Sequence, residues 1–131
     1  MEDSMLMEIL KEMQKKYRCI AEIEHITRDM GDSLSRNDKA SVQLLLEMRQ
    51  EEMDKTSVCD RNIHYLLEAM PAGESMLVSQ WMKGKASGEV DGPLAEKLAE
   101  KGNNIKQALK RTIEIDRHIS TRLAGKDSFY K

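Results

Sequence analysis

Apolar residues recur along the first third of the chain in alternating steps of three and four: Leu6, Ile9, Met13, Ile20, Ile23, Met30 and Leu34, with Lys16 and Thr27 completing the series. A repeat averaging 3.5 residues lays one stripe along an α-helix and is the seam of a helix bundle. It predicts a helix over residues 4–34, with Asp3 or Ser4 positioned to accept a first-turn N–H. After Asn37 and Asp38, either of which can cap a second helix, Val42, Leu46, Arg49, Met53, Thr56, Asp60, Ile63, Leu67 and Met70 repeat the alternation. The second helix is predicted over 38–70, because Pro71 disfavours helical backbone before it and Gly73 follows. Two helices of about 30 residues joined by a short turn make an antiparallel hairpin roughly 45 Å long.

Met76, Leu77, Gln80 and Trp81 share helical spacing within a short predicted helix, 74–83, that ends at Gly84. Residues 84–92 hold three glycines among small polar residues without periodicity, the mark of a flexible loop. Pro93 suits the first position of a last helix, predicted over 93–124, with Gly125 placed to end it. Along it Leu94, Leu98, Gly102, Ile105, Leu109, Thr112, Asp116, Ile119 and Leu123 again step by three and four. Gly102 is about 1 kcal/mol less favourable in a helix than alanine, and beside Asn103 and Asn104 it marks the weakest turn. Residues 125–131 form a polar tail apart from Phe129 and Tyr130. The expected fold is all-α: one domain, 1–131, in which the hairpin, the short helix and the long C-terminal helix form a three- or four-helix bundle of coiled-coil character.

Composition narrows the function. With 40% hydrophobic residues but only 4% aromatics, the core must be built from aliphatics and the 10 methionines. Positive and negative residues alternate throughout and sum to a formal charge of −2, so no basic face points to nucleic acid. No apolar run approaches the ~20 residues of a membrane span, and the acidic opening Met-Glu-Asp-Ser is unlike a secretory signal, so membrane insertion is not expected and a cytoplasmic location is. Cys19 and Cys59 are expected as free, buried thiols. With the hairpin turn near residue 36, Cys59 would lie about 9 Å along the axis from the position opposite Cys19.

Candidate chemistry is sparse. Glu22 and His25 share a helix face as di-iron carboxylate bundles require, yet the second Glu-x-x-His is missing, since Asp60/His64 and Glu114/His118 are spaced by four. Neither His64 nor His118 lies in the His-x-x-Lys-Gly context of a phosphotransfer histidine. Gly84-Lys85 and Gly125-Lys126 lack the earlier glycine and preceding strand of a phosphate loop. No enzyme activity and no cofactor is expected. The charged residues at seam positions, Lys16, Arg49, Asp60 and Asp116, predict pairs that set helix register. Three long helices also leave a groove where a fourth would lie, and adaptable methionines suit it to a partner's amphipathic helix.

The hairpin resembles a known family. Met5-Leu6-Met7-Glu8-Ile9-Leu10, then Glu22-Ile23-Glu24-His25-Ile26-Thr27, then Leu34-Ser35-Arg36-Asn37-Asp38 running into Leu44-Leu45-Leu46-Glu47-Met48-Arg49-Gln50, is similar to the FlgN-type flagellar export chaperones over about residues 5–70. The resemblance implies a cytoplasmic type III export chaperone. Its partners would be the amphipathic C-terminal helices of hook-filament junction (hook-associated) proteins, held unpolymerised and delivered to the flagellar export apparatus. Apolar residues beyond the narrow seam, namely Leu109, Ile113 and Ile115 of the last helix with Met76, Trp81 and Met82 of the short one, are the expected partner-binding wall. The alternative is a self-associating coiled-coil adaptor, a homodimer through the same seams with no export client.

Overall fold

The computed structural model describes residues 3–124, and among these the protein is all-α. Helix α1 spans Asp3–Ser35, α2 Lys39–Glu68, α3 Ala72–Met82, α4 Gly88–Asp91 and α5 Pro93–Ala124. The predicted tail, with Phe129 and Tyr130, and the expected cap at Gly125 lie outside the described residues.

Asn37 and Asp38 divide the work of the hairpin turn. Asn37 takes a left-handed φ of 60°, its N–H bonds to the Leu34 carbonyl and that of Asp38 to the Ser33 carbonyl, so the last carbonyls of α1 are satisfied. Asp38 then caps α2, its carboxylate accepting from the Ser41 N–H at 3.1 Å and from the Ser41 hydroxyl. The hydroxyl and backbone donors of Ser41 hold the Asp38 carboxyl below the ordinary carboxylate range.

Helix α1 is the central element. It buries Leu6, Ile9, Met13, Ile20, Ile23, Ile26 and Met30, whereas α2 buries only Val42, Cys59 and Ile63. So broad a stripe needs two long neighbours. Helix α2 covers one side antiparallel, with the Lys16 ammonium 2.7 Å from the Asp60 carboxylate and Arg49 reaching Thr27. Helix α5 covers the other side parallel to α1: Lys101 stands 4.7 Å over the Tyr17 ring, Arg111 pairs with Glu24, and Ile119 lies against Gly31. No Cα of α2 comes within 8 Å of a Cα of α5.

The register corrects the spacing expected for the thiols. Pairing of residue 16 with 60 and of 27 with 49 puts Cys19 and Cys59 within about 3 Å of one level along the hairpin axis. Both are free, Cys59 buried and Cys19 only half-buried. Burial raises the pKa of each, so neither is an activated nucleophile.

Three features differ from the expected ones by more than a residue. Helix α2 stops at Glu68, and Met70 turns inward as a buried anchor. Helix α3 starts at Ala72, not at 74, because Gly73 falls in a first turn whose N–H groups need no helical partner, and the first bond runs from the Ser75 N–H to the Pro71 carbonyl. Residues 84–92 carry the one-turn α4, closed by the Asp91 carboxylate accepting from the Ser87 N–H at 2.9 Å.

Helix α3 climbs from the base of the bundle between α2 and α5 and is docked by its last turn. Gly84, at φ +92°, lets its own N–H reach the Trp81 carbonyl and the Lys85 N–H reach that of Gln80. The turn presses its backbone onto α5 at Gly102, where an added Cβ would stand 2.8 Å from the Met82 carbonyl carbon, and the Lys106 ammonium donates to the Lys83 carbonyl. The glycine that helix propensity marks as the weakest turn of α5 is thus the site where α3 approaches it most closely.

Two outcomes follow from these contacts. Gly102→Ala should lower stability by about 1–3 kcal/mol despite the better helix propensity of alanine, because the methyl group meets backbone; Gly73→Ala, with open space around it, should be neutral or stabilising. Urea unfolding read by the single tryptophan, Trp81, compares them, and a stabilising Gly102→Ala would refute the close approach. The second concerns Glu24, 13% exposed and bonded to both Arg111 and Arg28. The Arg111 hydrogen bonds hold its carboxyl below the ordinary range against the effect of burial, with Arg28 adding to them. A lowered folded-state pKa stabilises fully above the unfolded value of about 4.3 and is lost as pH falls through the folded value. Wild type and Glu24→Gln should therefore differ in unfolding free energy near neutral pH and converge in that acid window, whereas a gap unchanged with pH would contradict the assignment.

Candidate functional site

Helices α2 and α5 flank α1 with their backbones apart, so a channel runs between them, and α3 fills only its lower part. Above the docking point at Gly102 and Lys106 the channel continues along α5 to about Ser120, some 21 Å or four helical turns. This is a fourth-helix slot half occupied by the protein's own short helix.

One polar node identifies the faces that look into the slot. Arg49 of α2, with its side chain 12% exposed, donates from Nη1 to Thr27 Oγ1 of α1 and to Asp116 Oδ1 of α5, both at 3.2 Å. The Thr27 hydroxyl in turn donates to the Ile23 carbonyl at 2.7 Å. Because Arg49 and Asp116 face each other, residues on the same helix edges must too. On α2 these are Leu46 and Met53, three before and four after Arg49; on α5 they are Leu109 and Ile113, seven and three before Asp116. Met53 is 39% exposed, Leu109 41% and Ile113 54%, so both walls of the slot present apolar side chains to solvent.

The six residues expected to form a binding wall do not all meet. Leu109 and Ile113 line the slot. Ile115 lies on the other flank of α5, four residues beyond Arg111 on the edge that binds Glu24. Trp81 is 3% exposed, packed in the core with Val78, and Met82 packs partly buried against that core, so these two anchor α3. Met76 points away from the core at 68% exposure. The short helix is a plug at the bottom of the slot, and the grouping of Ile115, Trp81 and Met82 with Leu109 and Ile113 is corrected accordingly. Leu46 and Met53 complete the site. Their signal is the charged seam residue Arg49 between them, which locates a place where α2 reaches across to α5.

The charged seam residues pair as expected, Lys16 with Asp60 and Arg49 with Asp116. Among the described residues no group of three His, Cys, Asp or Glu side chains could hold a metal ion, and no helix is long and apolar enough to cross a membrane. Glu22 and His25 are exposed, and His25 sits 3.4 Å from Asp29 on its own helix. The indole N–H of Trp81 is buried without a hydrogen-bond partner.

Comparison with known protein families, with curated proteins and with solved structures finds no match.

If Arg49 ties α2 to α5, Asp116→Ala should cost about 1–2 kcal/mol, since it strands a largely buried guanidinium. The double variant Arg49→Met, Asp116→Leu should recover most of that loss, because an apolar pair needs no compensation. Denaturation of the two variants tests this, and a neutral Asp116→Ala would remove the node from the account.

Proposed function

We propose that this protein is a helix-holding chaperone whose upper slot, walled by Leu46 and Met53 of α2 and Leu109 and Ile113 of α5, receives one amphipathic helix of about four turns from a client. The observation that carries this reading is the unfinished fourth position: α3 supplies the first 11 residues of a bundle helix and then turns away, leaving apolar side chains on both walls above it. A client helix would complete the bundle and bury those walls together with its own apolar face, at ~25 cal/mol per Å² of apolar surface. Methionine at position 53 lets one wall repack against clients of different sequence. The resemblance of residues 5–70 to FlgN-type chaperones supports the C-terminal helices of hook-filament junction proteins as clients, masked from polymerisation and carried to the export apparatus.

A self-associating adaptor is the second reading. It is favoured by exposed Leu44, Met48, Val58 and Tyr65, which lie along the outer face of α2 at heptad-like spacing. Charge weighs against it. Antiparallel pairing of two copies about the middle of that stripe would gather Glu51, Glu52 and Asp54 from both chains around two copies of Lys55.

Co-expression with the C-terminal helical segments of junction proteins, followed by size-exclusion chromatography with light scattering, separates the readings. A complex is expected with a junction segment, abolished by Met53→Asp or Ile113→Asp while helical content and unfolding midpoint stay close to wild type. A stable homodimer that binds no segment would overturn the chaperone reading in favour of the adaptor.

A further inference from the structure

The two walls of the slot differ in charge. Along α5 the upper edge reads Lys106, Lys110, Ile113, Arg117, and along α2 the facing edge reads Leu46, Gln50, Met53, Ser57, each at i, i+4, i+7 and i+11. One rim is basic and the other uncharged. Lys106 is occupied by the Lys83 carbonyl, but Lys110 and Arg117 are exposed and make no ion pair among the described residues. The opposite flank of α5 behaves otherwise, because Arg111 there is neutralised by Glu24. The floor of the slot is also neutral overall, Arg49 being matched by Asp116. Lys110 and Arg117 thus set two exposed positive charges, unpaired among the described residues, on one rim of the apolar slot.

From this asymmetry we infer that the helix received by the slot carries carboxylates along one edge, about two turns apart, which pair with Lys110 and Arg117. The inference rests on the slot reading above and specifies the client's chemistry. It has a consequence for direction. With its apolar face turned into the slot, a helix presents one edge to α5 and the other to α2, and reversing the helix exchanges them. An acidic edge therefore selects one of the two directions, which the apolar contacts alone leave nearly equivalent.

The test uses two labelled synthetic peptides of sixteen residues with the same leucine and isoleucine face, one with glutamates and one with lysines along a single edge, titrated with the full chain and followed by fluorescence anisotropy. The glutamate-edged peptide should bind about tenfold more tightly at low ionic strength, the sum of two exposed ion pairs gained rather than two repulsions. The difference should shrink as ionic strength rises from about 0.05 to about 0.5 M. Lys110→Glu with Arg117→Glu, both at exposed positions, should reverse the preference, and circular dichroism checks that the variant is folded. Equal binding of the two peptides, or tighter binding of the lysine-edged one, with Ile113→Asp still abolishing both, would overturn the acidic edge and leave the slot standing. Failure of both peptides to bind wild type would overturn the slot and the acidic edge together.

Discussion

A single helix whose apolar stripe is wider than one neighbour can cover determines this architecture. Residues Ile9, Ile20, Ile23, Ile26 and Met30 of α1 point over an arc too broad for a two-stranded seam, so the hairpin alone would leave part of it exposed. Helices α2 and α5 therefore sit on either side of α1 with their backbones apart, linked by the Arg49–Asp116 pair. The covering problem is solved for α1 at the expense of α2, which buries little along its 30 residues. The space between the two outer helices is then a consequence of the packing. Only α3, 11 residues long, is available to fill it.

Backbone contacts hold α3 in place together with its buried side chains. Its last carbonyls are partly satisfied by the left-handed turn at Gly84, and Lys106 takes the Lys83 carbonyl. With no Cβ at Gly102, two backbones can meet and the carbonyl end of α3 can lie on the surface of α5. Val78 and Trp81 then fasten the inner face into the core shared with Leu98 and Ile105. The same contact marks where filling ends, because the chain must turn back from Gly84 to start α5 at the base of the bundle.

Much of this was legible in the sequence and some of it could not be. Three-four spacing located the long helices to within a residue or two, since the stripe is a property of each helix alone. Lys16, Arg49, Asp60 and Asp116 were identifiable as paired because a charge in a seam has few other stable arrangements. Gly102 was misread for the opposite reason: propensity is local, whereas the backbone it admits arrives from 20 residues earlier in the chain. Trp81, expected on the groove wall, is core instead, because α3 has apolar residues on all sides and spacing alone does not tell its inner face from its outer one. Ile113 and Ile115 read alike because both are apolar, whereas the Arg49–Asp116 bond on one edge of α5 and the Arg111–Glu24 pair on the other place them on opposite sides. The level of Cys59 against Cys19 shifted because the turn is centred nearer 37–38 than 36, and in an antiparallel pair each residue of error counts twice.

On the proposed reading an unfilled slot must not draw two copies of the chain together, and its charges work in that direction. A strip of exposed Leu109, Ile113 and Met53 is small, and the basic rim beside it repels the like rim of a second copy brought face to face. The pair at the floor works in the same direction. Arg49 and Asp116 are already bonded, so a helix entering above them need not supply a polar partner, but one that places an unpaired polar group there would gain nothing in return for desolvation. On the proposed reading, selection in the slot comes from its edges: the walls accept any suitably shaped apolar face, the floor rejects buried polarity, and the rim of α5 distinguishes one edge charge from the other.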